Sequence, residues 1–134
     1  MKNKAEYVRD WILKARSDLN TAHWCLQAEE VPTDTVCFHC QQAVEKMLKG
    51  WLVWRDCEFK PIHNLEALLT ECERHQPEFS RLRGVGQLTF YAVEIRYPDD
   101  IYFPTMEEAR EAIRLADEAY HFVKNQLCQD GWNE

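Results

Sequence analysis

Cys37, His39 and Cys40 fall within four residues of one another in "CFHCQQAVEK" (37–46). Thiols and imidazoles at such spacing are the raw material of zinc sites and redox pairs. Helical geometry weighs that chemistry against a plain core wall. At about 100° per residue, Cys37 and Cys40 fall within about 40° of Val44, on the apolar stripe that also carries Met47, Leu48 and Trp51. His39 falls about 140° from that stripe, on the opposite side. Three ligands cannot converge on one ion from these directions, and a single Cys-x-x-Cys is half a zinc site at best. The thiols are expected as small core hydrophobes, with no metal and no cofactor.

The opposite face of the same stretch carries different chemistry. His39, Gln42, Lys46 and Lys49 lie within about 80° of one another, a net-basic ridge in a chain of net charge −7. Imidazole, amide and ammonium groups together can hold a phosphate and a base edge. The plainer alternative is a solvated outer face. Glu45 can pair with Lys49 at i, i+4. Gln41 sits at the edge of the buried stripe, where its amide must find partners. His63 and Arg96 are further candidates. His63 precedes a helix, so it either caps or binds. Arg96 ends one, where positive charge favours the helix dipole or meets a phosphate.

These residues need a scaffold, and the patterning supplies one. The chain has 134 residues, 46% of them apolar, with 4 Gly and 5 Pro. That composition fits one domain over 1–134 with a sizeable core and few turns. Residues 4–29 place Val8, Trp11, Ala15, Leu19, Ala22 and Leu26 on one helical stripe. Pro32 interrupts, and Thr33 or Asp34 can cap a second helix over about 34–56. His63 or Asn64 opens a short third helix carrying Leu65, Leu68, Leu69 and Cys72. A fourth helix is expected over about 78–96, with Leu82, Val85, Leu88, Ala92 and Ile95 aligned and with Gly84 and Gly86 inside it. "TMEE" (105–108) is a capping box, opening a last helix to about Leu127. The tail "QDGWNE" is expected to fray. The fold class is therefore all-α, an up-and-down bundle of four long helices and one short one.

The bulk numbers also exclude functions. No run of 18 apolar residues exists, so no membrane span is expected. The charged start lacks the apolar stretch of a signal peptide, and the six cysteines are expected as reduced thiols in a cytoplasmic protein. A net charge of −7 argues against duplex DNA as a partner. Leu13 and Trp24 lie opposite the core stripe of the first helix. Trp54, Phe59, Tyr102 and Phe103 are hard to bury in one small bundle. Surface aromatics in such number indicate an interface, and so a homodimer.

"CFHCQQAVEKMLKGWL" also resembles the HEPN family (higher eukaryotes and prokaryotes nucleotide-binding). Its second helix often reads Phe-His-x-Gln-Gln-Ala-x-Glu-Lys, matched here by Phe38, His39, Gln41, Gln42, Ala43, Glu45 and Lys46. "IHNL" (62–65), "EIRYPDD" (94–100), "WILKARSDLNTA" (11–22) and the Ala-rich last helix resemble further family elements in the same order. The resemblance implies a compact helical bundle that usually dimerises. It also implies nucleotide binding, often beside a minimal nucleotidyltransferase partner in a toxin–antitoxin pair. A large subset of the family are metal-independent ribonucleases using an Arg and a His separated by four to six residues. Here the positions after Arg96 where that His would stand are Ile101, Tyr102 and Phe103. Arg16/His23 and Arg114/His121 have a similar spacing but lie elsewhere, and read as ordinary helix surface.

Three functions follow as expectations. The first is a dimeric module binding a nucleotide or short RNA phosphate through His39, Gln42, Lys46, Lys49, His63, Arg96 and Tyr97. By family analogy, Tyr97 is also a site that a partner nucleotidyltransferase would modify. The second is a ribonuclease in which Arg96 supplies charge and His39 or His63 replaces the missing base. The third is a non-catalytic interaction module.

Overall fold

The computed structural model describes residues 1–59, 61–92 and 102–134. Among these residues the fold is all-helical, as the patterning predicts: helices α1 (Lys4–Leu26), α2 (Thr33–Trp54), α3 (Leu65–His75), a 3₁₀ helix (Pro77–Tyr91) and α4 (Met106–Gln129). None of these helices is long and apolar enough to cross a membrane.

α2 is the central element, with α1, α4, α3 and the 3₁₀ helix all packing on it. Its buried set includes Cys37, Cys40, Val44, Met47, Leu48 and Trp51, each at most 1% exposed. Burying a side chain of Leu or Met size stabilises by about 1.5–3 kcal/mol, so this stripe organises the bundle. α1 runs antiparallel to α2. Gly50 lies against Trp11 and Ile12 near one end, and Asp18 meets His39 and Lys46 further along. The glycine suits this close approach, because a Cβ on residue 50 would stand 3.1 Å from the Cβ of Trp11, a tight contact that one helix would have to ease.

Several local expectations are corrected. Ile12, not Trp11, occupies the α1 core stripe; Trp11 is half-buried on its flank. Neither Thr33 nor Asp34 caps α2, since Pro32 holds the cap position without a side-chain bond. The fourth segment is a 3₁₀ helix rather than an α-helix, as far as Tyr91. Phe79, Leu82, Val85 and Leu88 are all buried at intervals of three, the period at which a 3₁₀ helix stacks its side chains. Residues 93–96 of that expected helix lie outside the described residues.

The tail is the clearest correction. Trp132 is 1% exposed, and its indole N–H donates to the Ala5 carbonyl at 3.2 Å. Gly131, at φ +97°, makes the turn. The Trp132 amide donates to the Leu127 carbonyl and the Gly131 amide to that of Cys128, which is a Schellman motif. Glu134 then pairs with Arg16 and Lys124. The Thr105–Glu108 capping box opens α4 as expected.

Candidate functional site

The basic ridge of α2 is built differently from the open face that its helical wheel describes. The His39 Nδ1–H donates to Asp18 Oδ1 at 2.8 Å. The Lys46 ammonium donates to Asp18 Oδ2 at 2.5 Å. Asp18 comes from α1 and its side chain is 12% exposed; those of His39 and Lys46 are 24% and 21% exposed. One carboxylate therefore holds one imidazole and one ammonium across a helix seam.

A second carboxylate repeats the arrangement beside it. Glu45 Oε1 accepts from His63 Nδ1 at 2.9 Å and from the Gln41 amide at 3.0 Å. Glu45 Oε2 accepts from Lys49 at 3.0 Å. Burial pushes the Glu45 carboxyl up, but the hydrogen bonds from Gln41, His63 and Lys49 outweigh it and hold the group below its ordinary value. Lys49 is 6% exposed, so it is part of the interior rather than an outer ridge. Its neighbour Phe59 lies with its ring centre 5.9 Å from the ammonium.

Gln41 and Gln42 extend the second cluster. The Gln42 amide donates to Gln41 Oε1 at 2.7 Å, and the Gln41 amide donates to the His63 carbonyl at 3.2 Å as well as to Glu45. The buried Gln41 thus finds the partners its position demands. His63 does not cap α3; Asn64 does, accepting from the Ala67 amide. Instead His63 leans back onto α2 while its side chain stays 65% exposed.

The chemistry follows from the acceptors. A carboxylate only accepts, so each imidazole carries its hydrogen on Nδ1 and, when neutral, presents a lone pair on Nε2. Among the described residues neither Nε2 has a hydrogen-bond partner. Lys46 uses one of its three N–H donors on Asp18. The site is therefore a row of polarised donors and acceptors with its charges largely balanced internally.

Asp18 is the member of this network that the patterning missed. One signal was available: Asp18 falls between Ala15 and Ala22 at the edge of the buried stripe of α1, and a carboxylate there must be paired. Arg96 and Tyr97 lie outside the described residues. Cys37 and Cys40 are fully buried. Burial pushes the Cys37 thiol up to about 11, against a lowering hydrogen bond from Tyr91, and burial raises Cys40 further. His39 turns from both thiols to Asp18. The remaining Arg–His spacings are tied into surface pairs: Arg16 to Tyr120 and Glu134, His23 to Asp117, and Arg114 to Glu111 and Glu118. Among the described residues, hollows also lie outside the network. One, of about 570 Å³, sits between the 3₁₀ helix and α4 with Gln87, Tyr91, Glu107, Arg110 and Arg114 in its lining. Another, of about 230 Å³, is on α1.

The surface aromatics divide into two groups. Trp24 and Phe103 are 68% and 65% exposed, and Leu13 and Tyr102 are exposed too. Trp54 and Phe59 instead pack partly against the core.

Comparison with known proteins agrees with this architecture. Among solved structures, the archaeal HEPN homologue ST0689 is 31% identical, with a TM-score of 0.72 over 95% of this chain and 99% of that one. TT1696 from Thermus thermophilus is 30% identical, with a TM-score of 0.73 over 90% and 98% of the two chains. No curated protein matches the chain. The family model for the HEPN domain matches residues 8–126, a span that holds Asp18, the α2 network and His63 together. The chain belongs to the HEPN domain family.

Proposed function

We propose that this chain is a cytoplasmic HEPN module that binds a nucleotide or RNA phosphate at the seam of α1 and α2 and acts with a nucleotidyltransferase partner in a toxin–antitoxin-like pair. The observation that carries the binding site is the doubled cluster: Asp18 with His39 and Lys46, Glu45 with His63 and Lys49. Lys46 and Gln42 are accessible donors, and His39 and His63 join them through Nε2 when protonated. Lys49 acts from within, by holding Glu45. Arg96 and Tyr97 join the proposal on their sequence alone. The partner rests on the family resemblance. The exposed Leu13, Trp24, Tyr102 and Phe103 support a homodimer.

Calorimetric titration with ATP, GTP, AMP and GMP tests the binding reading. Wild-type protein is expected to bind at least one of them, and Lys46→Ala and His39→Ala each to weaken it about tenfold, the loss of one charge-assisted hydrogen bond. No heat with any of the four would leave a non-catalytic interaction module. A second reading, a ribonuclease, is favoured by the Nδ1-bound imidazoles, because an imidazole held this way has Nε2 free to take a 2′-OH proton. RNA incubated with wild type in chelator, then with His39→Ala and His63→Ala, tests it. Intact RNA with wild type would end that reading.

A further inference from the structure

We infer that α1 carries a nucleobase-stacking subsite in line with the phosphate-holding cluster, so that the ligand is a short single strand rather than a mononucleotide. This rests on the phosphate-binding reading above. The residues are Tyr7 and Trp11. With Lys4, Lys14 and Asp18 they fall within about 80° on α1, spaced three and four apart. That stripe forms the outer edge of the seam with α2: Trp11 rests on Gly50, and Asp18 holds His39 and Lys46.

Along the stripe two neighbouring aromatics, Tyr7 and Trp11, stand between two lysines, Lys4 (paired with Asp56 and set over the Trp54 ring) and Lys14. Tyr7 is 50% exposed, and Tyr7, Asp10, Trp11 and Lys14 line a hollow of about 230 Å³. Lys14 is exposed and has no ion-pair partner among the described residues. Lys46 comes next, from α2. A pair of aromatic faces flanked by ammonium groups suits a strand whose bases stack while its phosphates track the cations. From Tyr7 to Asp18 the helix rises about 16 Å, longer than one nucleotide. Gly50 helps fix the platform, because the root of the Trp11 side chain, its Cβ and Cγ, packs over it.

The test compares a 5′-phosphorylated single-stranded trinucleotide with its abasic counterpart, each titrated by calorimetry at low salt. Wild type is expected to bind the trinucleotide at least about tenfold more tightly than the abasic strand, because base stacking on an aromatic side chain is sequence-tolerant and strong. Tyr7→Ala, a surface change, is expected to erase most of that difference, and Trp11→Phe to leave it largely in place. Lys46→Ala should weaken both ligands alike. Equal binding of the two strands by wild type would overturn the subsite while leaving the phosphate site standing. The subsite fails equally if Tyr7→Ala binds both strands as wild type does. If Tyr7→Ala shifts the sedimentation coefficient instead, the face is a protein interface and the subsite is wrong. Binding of neither strand by wild type would overturn both proposals.

Discussion

Replacing Asp18 by Asn removes the one charge that holds His39 and Lys46 together, while keeping the side chain's shape. The carboxylate accepts at 2.8 and 2.5 Å from two side chains that are 24% and 21% exposed. A fully exposed pair would contribute roughly 0–1 kcal/mol, and breaking a fully buried one would cost about 3–5 kcal/mol. The pair here is nearer the buried limit, but Lys46 can extend its ammonium toward water, and Asn still offers one oxygen. The expected loss is about 2 kcal/mol, a fall in Tm of ~6–8 °C for a domain of this size. Urea unfolding at neutral pH, followed by far-UV circular dichroism, measures it. The same change should raise affinity for a phosphate ligand by about tenfold, since a like charge beside the bound anion is gone and one of the two donors is released. Stability and affinity thus move in opposite directions. An Asp18→Asn protein within ~0.5 kcal/mol of wild type would refute the energetic reasoning. One that is destabilised yet binds phosphate no better would show Asp18 to be only a tie between helices.

Other perturbations probe separate parts of the fold. Glu45 is held below its ordinary value of 4.5, so its contribution is present above that value and is lost as pH falls through the folded one; the stability gap between wild type and Glu45→Gln should narrow below about pH 4.5 in acid titrations. The Cys37 thiol moves the other way, from 9.0 to about 11, so the unfolded chain loses its proton first, and unfolding free energy should fall by about 1.4 kcal/mol per pH unit across that window, a slope that Cys37→Ala reduces. Trp132→Ala should cost about 3–5 kcal/mol in urea unfolding, because a 1%-exposed indole leaves a cavity; a neutral result would mean the tail is not docked. Gly50→Val should destabilise by roughly 2–3 kcal/mol, since a Cβ already meets Trp11 at 3.1 Å.

The long helices were legible because each repeats one physical demand along itself. Cys37, Cys40, Val44, Met47 and Trp51 recur at helical spacing, and each is at most 1% exposed; no tertiary knowledge was needed to place the thiols inside. The Thr105–Glu108 capping box and the third-helix stripe were readable for the same reason. The 3₁₀ helix was half-legible. Its period of three, Phe79 to Leu88, stands in the sequence, yet three is also an α-helical interval, so spacing alone does not separate the two helix types.

The sequence by itself determined the helical elements, their inward faces and the polar identity of the second helix's far side. Only the tertiary structure decided what that far side does. His39 and Lys46 find Asp18 from 21 and 28 positions away, Glu45 finds His63 from 18, and Trp132 finds Ala5 across 127. Periodicity reports which way a side chain leaves its own helix. Whether a neighbouring helix meets it there with a carboxylate or leaves it to water depends on how the elements dock, and hydrophobic spacing carries no record of that partner.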